Sequence, residues 1–185
     1  SYIEQITKID DRDWDIFSSK LIKREYDKKS KITNFGEIEN YISFVEEGVV
    51  RLLIPNEEEE KEITFGFSFE NEFISAYDSF LTQSPSLYEL ETLTKTTILS
   101  ISFNDLQEVY RSTLIGNLIG RYWSERLYLI KSKREQSLLN DSAEKRYLNL
   151  FEERPKLIKK IPLKYIASYI GVTPQALSRI RKRIS

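Results

Sequence analysis

The stretch Ile161-Pro-Leu-Lys-Tyr-Ile-Ala-Ser-Tyr-Ile-Gly-Val-Thr-Pro-Gln-Ala-Leu-Ser-Arg-Ile-Arg-Lys-Arg183 decides how the rest of the chain is read. Leu163, Ile166, Ala167 and Ile170 recur at steps of three and four residues, which on a 3.6-residue period is the buried stripe of a short helix. Gly171 follows, and glycine takes the positive φ of a sharp helix exit without a Cβ penalty. Thr173 is a good N-cap and Pro174 a good first helical residue, because proline lacks an N–H that would be unpaired there anyway. The second helix then turns Leu177, Ile180 and Ile184 inward and leaves Gln175, Ser178, Arg179 and Lys182 on an outward face. This is a helix-turn-helix pattern. Its outward face has the chemistry of a major-groove reader: glutamine can bond an adenine edge bidentately and arginine a guanine edge, while lysine and serine reach phosphates or bases. Lys164 and Thr173 complete the set expected to meet DNA. A solvated basic helix closing a bundle is the plainer reading of the same residues.

Charge supports a phosphate partner. The net charge of the 185 residues is −1, but from Ser142 onward the chain carries about +8 and the remainder about −9. A basic end on an acidic body is expected where one part meets nucleic acid. Cys and His are both absent, which removes thiol redox chemistry, iron–sulfur clusters, typical zinc sites and histidine general bases. The chain is therefore read as no enzyme, with no catalytic residues, no metal site and no cofactor; a cupin-like metalloenzyme would need histidine ligands. Neither a membrane span nor a signal peptide is indicated, and the lack of cysteine fits a reducing cytoplasm. Met is absent too, so either the initiator was removed before Ser1 or the sequence is not the complete primary product.

Taken in order, Ile3 to Leu21 reads as one or two short amphipathic helices. From Ile22 the period becomes that of short strands: Tyr41 to Glu46, a turn at Glu47-Gly48, Val49 to Ile54, Lys61 to Phe67, Leu87 to Leu93 and Thr97 to Ile101. The acidic run Glu57 to Glu60 is a solvated hairpin tip, since consecutive carboxylates converge poorly on one cation. This is the pattern of a sandwich or small barrel. Helical spacing returns with a short helix around Leu106 to Tyr110 and a long one from Thr113 to Leu139. Ile115, Leu118, Ile119, Tyr122 and Leu129 line one side of the long helix, and Trp123, Leu127 and Ile130 another. A helix with two apolar sides must bury both, so one is assigned to the β-rich part and one, the Ile115 to Leu129 side, to a second copy of the chain. Gly116 and Gly120 each weaken this helix by about 1 kcal/mol relative to alanine, which a close helix–helix approach would explain. Ser142 or Asp141 caps the next helix, to Phe151.

A β-rich front, a long connecting helix and this terminal motif together resemble the Crp/Fnr family of bacterial transcription regulators. The motif from Lys164 to Lys182 resembles the family's recognition pattern, and Gly48-Val-Val-Arg-Leu52 its sensor-domain hairpin. Glu70 to Leu81 and Ala143-Glu-Lys-Arg-Tyr147 look like the branch common in Bacteroidetes. The resemblance implies an α+β chain: a cyclic-nucleotide-binding-like β jelly roll (1–112), a dimerisation helix (113–139) and an all-α helix-turn-helix domain (140–185). It implies a homodimeric, cytoplasmic regulator that binds double-stranded DNA and contacts RNA polymerase. Cyclic-nucleotide binders of the family carry a Gly-Glu pair for the ribose and an arginine for the phosphate; here Ser75-Ala76 and Ser84-Pro-Ser86 stand in those places. A buried phosphate without that arginine would be largely uncompensated, which argues against cyclic AMP. Tyr77, Ser79, Tyr88 and Glu89 are the candidates to line a pocket for an unknown effector, or are ordinary strand and loop residues. The rival to DNA binding is a scaffold module whose C-terminal helices bind a protein.

Overall fold

The structure, a computed structural model, describes residues 10–56 and 61–184. The acidic run Glu57 to Glu60 and the start of the first expected helix lie outside the described residues. The chain opens with α1 (Asp11–Ser19), then β1 (Ile22–Tyr26), β2 (Lys31–Thr33), β3 (Tyr41–Glu47), β4 (Val50–Asn56), β5 (Lys61–Ser68) and β6 (Phe73–Ile74). A short α2 (Tyr77–Thr82) precedes β7 (Glu89–Thr92) and β8 (Thr96–Ser102). Helices complete the chain: α3 (Phe103–Ser112), α4 (Leu114–Asn140), α5 (Ala143–Glu153), α6 (Pro155–Lys160), α7 (Leu163–Tyr169) and α8 (Pro174–Ile184).

The strands form two four-stranded sheets, ordered β1-β8-β3-β6 and β2-β7-β4-β5. β8 runs antiparallel to both β1 and β3, and β7 to both β2 and β4, so strands distant in sequence lie side by side as in a jelly roll. The turn between β3 and β4 needs Gly48: its φ is +106°, and a Cβ there would stand 2.8 Å or less from Thr96 and the Lys95 carbonyl. The fold is thus an α+β chain with an antiparallel sandwich, one long helix and several C-terminal helices. Sequence periodicity did not anticipate β6, α2 or α6, each six residues or fewer, too short to show a repeat.

The described residues divide into two compact units. One holds the chain up to Pro55 together with Gly66–Glu125; the other holds Asn56–Phe65 and everything from Arg126 onward. Within the first, Phe17, Phe80, Ile101, Leu106, Val109, Ile115 and Ile119 form a core against which Tyr77, Phe103, Tyr110 and Trp123 pack. Ile115 and Ile119, expected on the side of α4 facing a second copy, are instead buried inside this core, at 5% and 8% exposure. The reason lies at the α3–α4 corner. Ser102 caps α3 by accepting the Asp105 N–H at 3.1 Å, and Thr113 closes it, its hydroxyl donating to the Val109 carbonyl at 2.8 Å. The chain then doubles back so closely that a Cβ on Gly116 would meet Val109 Cγ1 at 2.8 Å and the Val109 carbonyl at 2.9 Å. That approach carries the first turns of α4 into the chain's own core.

In the second unit, Ser142 caps α5 by accepting the Lys145 N–H at 3.2 Å. Tyr147, Leu150, Leu157, Ile161, Ile166, Ala167, Ile170, Leu177 and Ile180 make its core. Leu163, counted in the inward stripe of the first motif helix, is exposed, because it opens α7 before the helix reaches the core.

Replacing Gly116 by alanine should lower stability although alanine favours helix by about 1 kcal/mol, because the new methyl meets the Val109 carbonyl as well as the buried Val109 and Thr113 side chains; overpacking costs about 1 to 3 kcal/mol. Gly120→Ala, whose new methyl meets only the Tyr110 side chain, should cost less. Thermal denaturation of the two variants side by side reads the difference.

Candidate nucleic-acid interface and ligand region

The two last helices are held by bonds that end one and start the other. Gly171, at φ +74°, donates to the Ser168 carbonyl at 3.0 Å, and Val172 N–H to the Ala167 carbonyl at 2.9 Å. The Thr173 hydroxyl accepts the Ala176 N–H at 3.2 Å and Pro174 opens α8, as the sequence suggests. Arg146 fastens the far side: its Nε donates to the Ile170 carbonyl at 2.8 Å and its Nη1 to the Asp141 carbonyl at 2.6 Å, joining the end of α7 to the end of α4. With Leu177 and Ile180 buried, Gln175, Ser178, Arg179 and Lys182 are all exposed on α8. Thr173 is exposed at its start, and Lys164, exposed on α7, lies over the Tyr165 ring at 4.6 Å. Arg183, in the same last turn as Lys182, pairs with Glu144 at 3.2 Å.

The same unit contains the end of the β4–β5 hairpin. Ser168, in α7, accepts the Thr64 N–H at 2.8 Å and donates to the Glu62 carbonyl at 3.2 Å. Arg134 donates to the Phe65 carbonyl at 3.1 Å and lies over the Tyr169 ring at 4.3 Å. Sequence reading missed these bonds; a serine mid-helix gives no signal of a partner about a hundred residues away.

Of the residues expected at a subunit contact, Leu118 and Leu129 are open, at 41% and 66% exposure. Eleven residues separate them, about three helical turns, so they fall on one stripe. Tyr122 is half-buried with its ring edge-on to Trp123.

Of the four residues proposed for a pocket, Tyr77, Ser79 and Tyr88 gather around α2 and Glu39, while Glu89 pairs elsewhere. The Tyr77 hydroxyl bonds Ser124 Oγ at 3.0 Å and its ring stacks on Phe80. Tyr88 has its phenol pKa raised, by burial first and by a hydrogen bond with Asp78 second. Glu89 pairs with Lys31 across β2 and β7. Glu89 and Glu91 alternate along β7 with the buried Leu90 and Thr92, so Glu89 lies on the opposite sheet face from them. On that face Lys31, Glu91 and Arg51 are registered across three strands, with Arg51 fully buried and 3.5 Å from Glu91.

Ser79 joins, and Tyr88 lies near, a buried polar centre whose focus is Glu39, a residue the sequence did not single out. Glu39 is 4% exposed. Its Oε2 accepts the Thr33 hydroxyl at 2.6 Å and the Ala76 N–H at 3.3 Å, and its Oε1 accepts the Tyr41 N–H at 2.9 Å. Its own N–H donates to Ser79 Oγ at 3.0 Å. Ser86, which stands where the family's phosphate arginine would be, is buried, its hydroxyl donating to the Tyr88 carbonyl at 2.7 Å. Among the described residues no group of acidic side chains could hold a metal ion, and no helix is long and apolar enough to cross a membrane.

No curated protein matches the chain by sequence. Among solved structures, the c-di-GMP-responsive global regulator CLP of Xanthomonas campestris is similar over 95% of this chain and 91% of its own, with a TM-score of 0.71 and 19% identity. A transcriptional regulator of the crp/fnr family from Eubacterium rectale aligns over 95% and 83%, with a TM-score of 0.64 and 19% identity. The catabolite activator protein of Thermus thermophilus aligns over 97% and 85%, with a TM-score of 0.57 and 19% identity. At these identities the likeness is one of fold. Residues 23–113, from β1 to the end of α3, match the family model of the cyclic nucleotide-binding domain, and 95% of the chain aligns in fold with the regulator of the crp/fnr family.

Proposed function

We propose that this chain is a sequence-specific DNA-binding transcription regulator of the Crp/Fnr type, acting as a homodimer and without response to cyclic AMP. The observation that carries the reading is the exposed row Gln175, Ser178, Arg179 and Lys182 on α8, set on a helix pair fixed by the Gly171 turn and the Arg146 bonds. A rigid helix presenting glutamine and arginine outward suits base edges in the major groove. The surplus of basic residues from Ser142 onward supplies the phosphate attraction. In this reading residues 1–112 are a sensor-type domain, 113–139 a dimerisation helix and 140–185 a helix-turn-helix domain, with α7 and α8 as its two motif helices. Lys164 and Thr173 lie at the edge of the DNA-facing surface.

The second copy is expected along α4 at Leu118 and Leu129, since Ile115 and Ile119 are already used inside the chain. Leu114 and Tyr128, also exposed on α4, extend the apolar surface available to it. Cyclic AMP is disfavoured because Ala76 and Ser86 supply neither a carboxylate for the ribose nor a cation for the phosphate.

Gln175→Ala or Arg179→Ala should each cost about 1 to 3 kcal/mol at a site selected from random duplex DNA, and relax preference at one or two base pairs. Equal losses on selected and random DNA would mean these side chains touch phosphate alone. Leu118→Glu combined with Leu129→Glu should yield a monomer, each change placing a carboxylate in an apolar contact; sedimentation of an unchanged dimer would move the subunit contact elsewhere. Cyclic AMP at about 1 mM should leave the melting temperature unchanged, where a site with a Kd of about 10 μM would add about 2.7 kcal/mol.

A further inference from the structure

We infer that the Glu39 carboxylate is the resident anion of the β-sandwich unit, filling in cis a site that buried donors create. Three donors from three separate parts of the chain meet on it: the Thr33 hydroxyl at the end of β2, the Tyr41 N–H at the start of β3, and the Ala76 N–H at the junction of β6 and α2. Two of these are backbone N–H groups, which cannot turn round to accept, so their convergence on one point is chemistry suited to an anion. Thr33, Glu39 and Ala76 are each less than 5% exposed, so water does not compete for the bonds.

The occupant is also tied from behind. The Glu39 N–H donates to Ser79 Oγ at 3.0 Å, and Gln83 Nε2 donates to the Glu39 carbonyl at 3.4 Å, so both the middle and the end of the α2 segment are fastened to this one residue. Ala76 is the residue standing where the family's ribose carboxylate would be. The α2 segment is therefore held by a side chain that is always present. A diffusible anion would have to displace a tethered one whose effective concentration is far higher. The sandwich unit is preset, and its α2 segment does not wait for an anionic effector. This deepens the reading that cyclic AMP is no effector, but stands on the Glu39 bonds alone and is tested without nucleotide or DNA.

Glu39→Ala leaves the donors facing a carboxylate-sized gap, so the variant should melt below the wild type. Formate or acetate at about 100 mM should restore part of the loss; a site with a Kd of about 10 mM raises the folded-to-unfolded ratio about tenfold at that concentration. Sodium chloride at equal ionic strength should not, and the wild type should show no formate response. A wild-type melting temperature for the variant, or formate and chloride acting alike, overturns the inference. Should Glu39→Ala not fold, Glu39→Gln keeps the volume but offers the donors an NH2 group in place of one oxygen. Whichever of the Ala76 and Tyr41 amides then faces the NH2 group should exchange with deuterium at least about tenfold faster, while the Val45 amide, bonded to the Glu72 carbonyl at 2.9 Å, keeps its rate. Unchanged exchange at Ala76 and Tyr41, or equal acceleration at all three, overturns it too.

Discussion

The close crossing of α3 and α4 is the constraint on which the sandwich unit depends. Gly116 has no Cβ, and the space it leaves is taken by Val109, whose side chain is fully buried between the two helices. Because of that approach Ile115 and Ile119 reach the same core as Phe17 from α1, Phe80 from α2 and Ile101 from β8. Burying an isoleucine is worth about 1.5 to 3 kcal/mol, so the corner is strongly favoured once the glycine permits it. It also ties α1, which otherwise has one buried residue, and α2, which is only six residues long, to elements that can hold them. Neither is long enough to be stable alone.

The polar interior is organised by the same economy of satisfied groups. Glu39 is tolerated because fixed neighbours donate to both its oxygens; Arg51, in β4, is tolerated because Glu91 stands in register with it at 3.5 Å. Lys31 shows the balance of terms directly: burial pushes its pKa down, yet Glu89 and Glu91 more than offset this and leave it raised. Such charges are costly to strand, so each fixes the geometry of the strands that supply its partners.

Strand β5 faces a different demand. It is the last strand of its sheet, and an edge strand exposes N–H and C=O groups that invite pairing with another chain. At Glu62, Thr64 and Phe65 those groups are met by Ser168 and Arg134, side chains from α7 and α4. The helix that precedes α8 is therefore positioned by a strand as well as by its own turn.

Much of this was legible along the chain. Repeats of two and 3.6 located the longer strands and helices, glycine and threonine–proline chemistry located the Gly48 and Gly171 turns, and local caps at Ser142 and Thr173 formed as their side chains dictate, because each of these effects acts over a few residues. The outward row on α8 was legible for the same reason. What tertiary structure alone decided involves partners distant in sequence. Periodicity showed that α4 has two apolar sides but not which would be buried by its own chain, and the answer came from Val109 and the sandwich core. Tyr77, Ser79, Tyr88 and Glu89 are near one another in sequence, yet while the first three gather around α2 the alternation of β7 sends Glu89 to Lys31. Glu39 carries no local mark at all, since a carboxylate becomes a structural anion only when folding brings Thr33, Tyr41 and Ala76 to meet it.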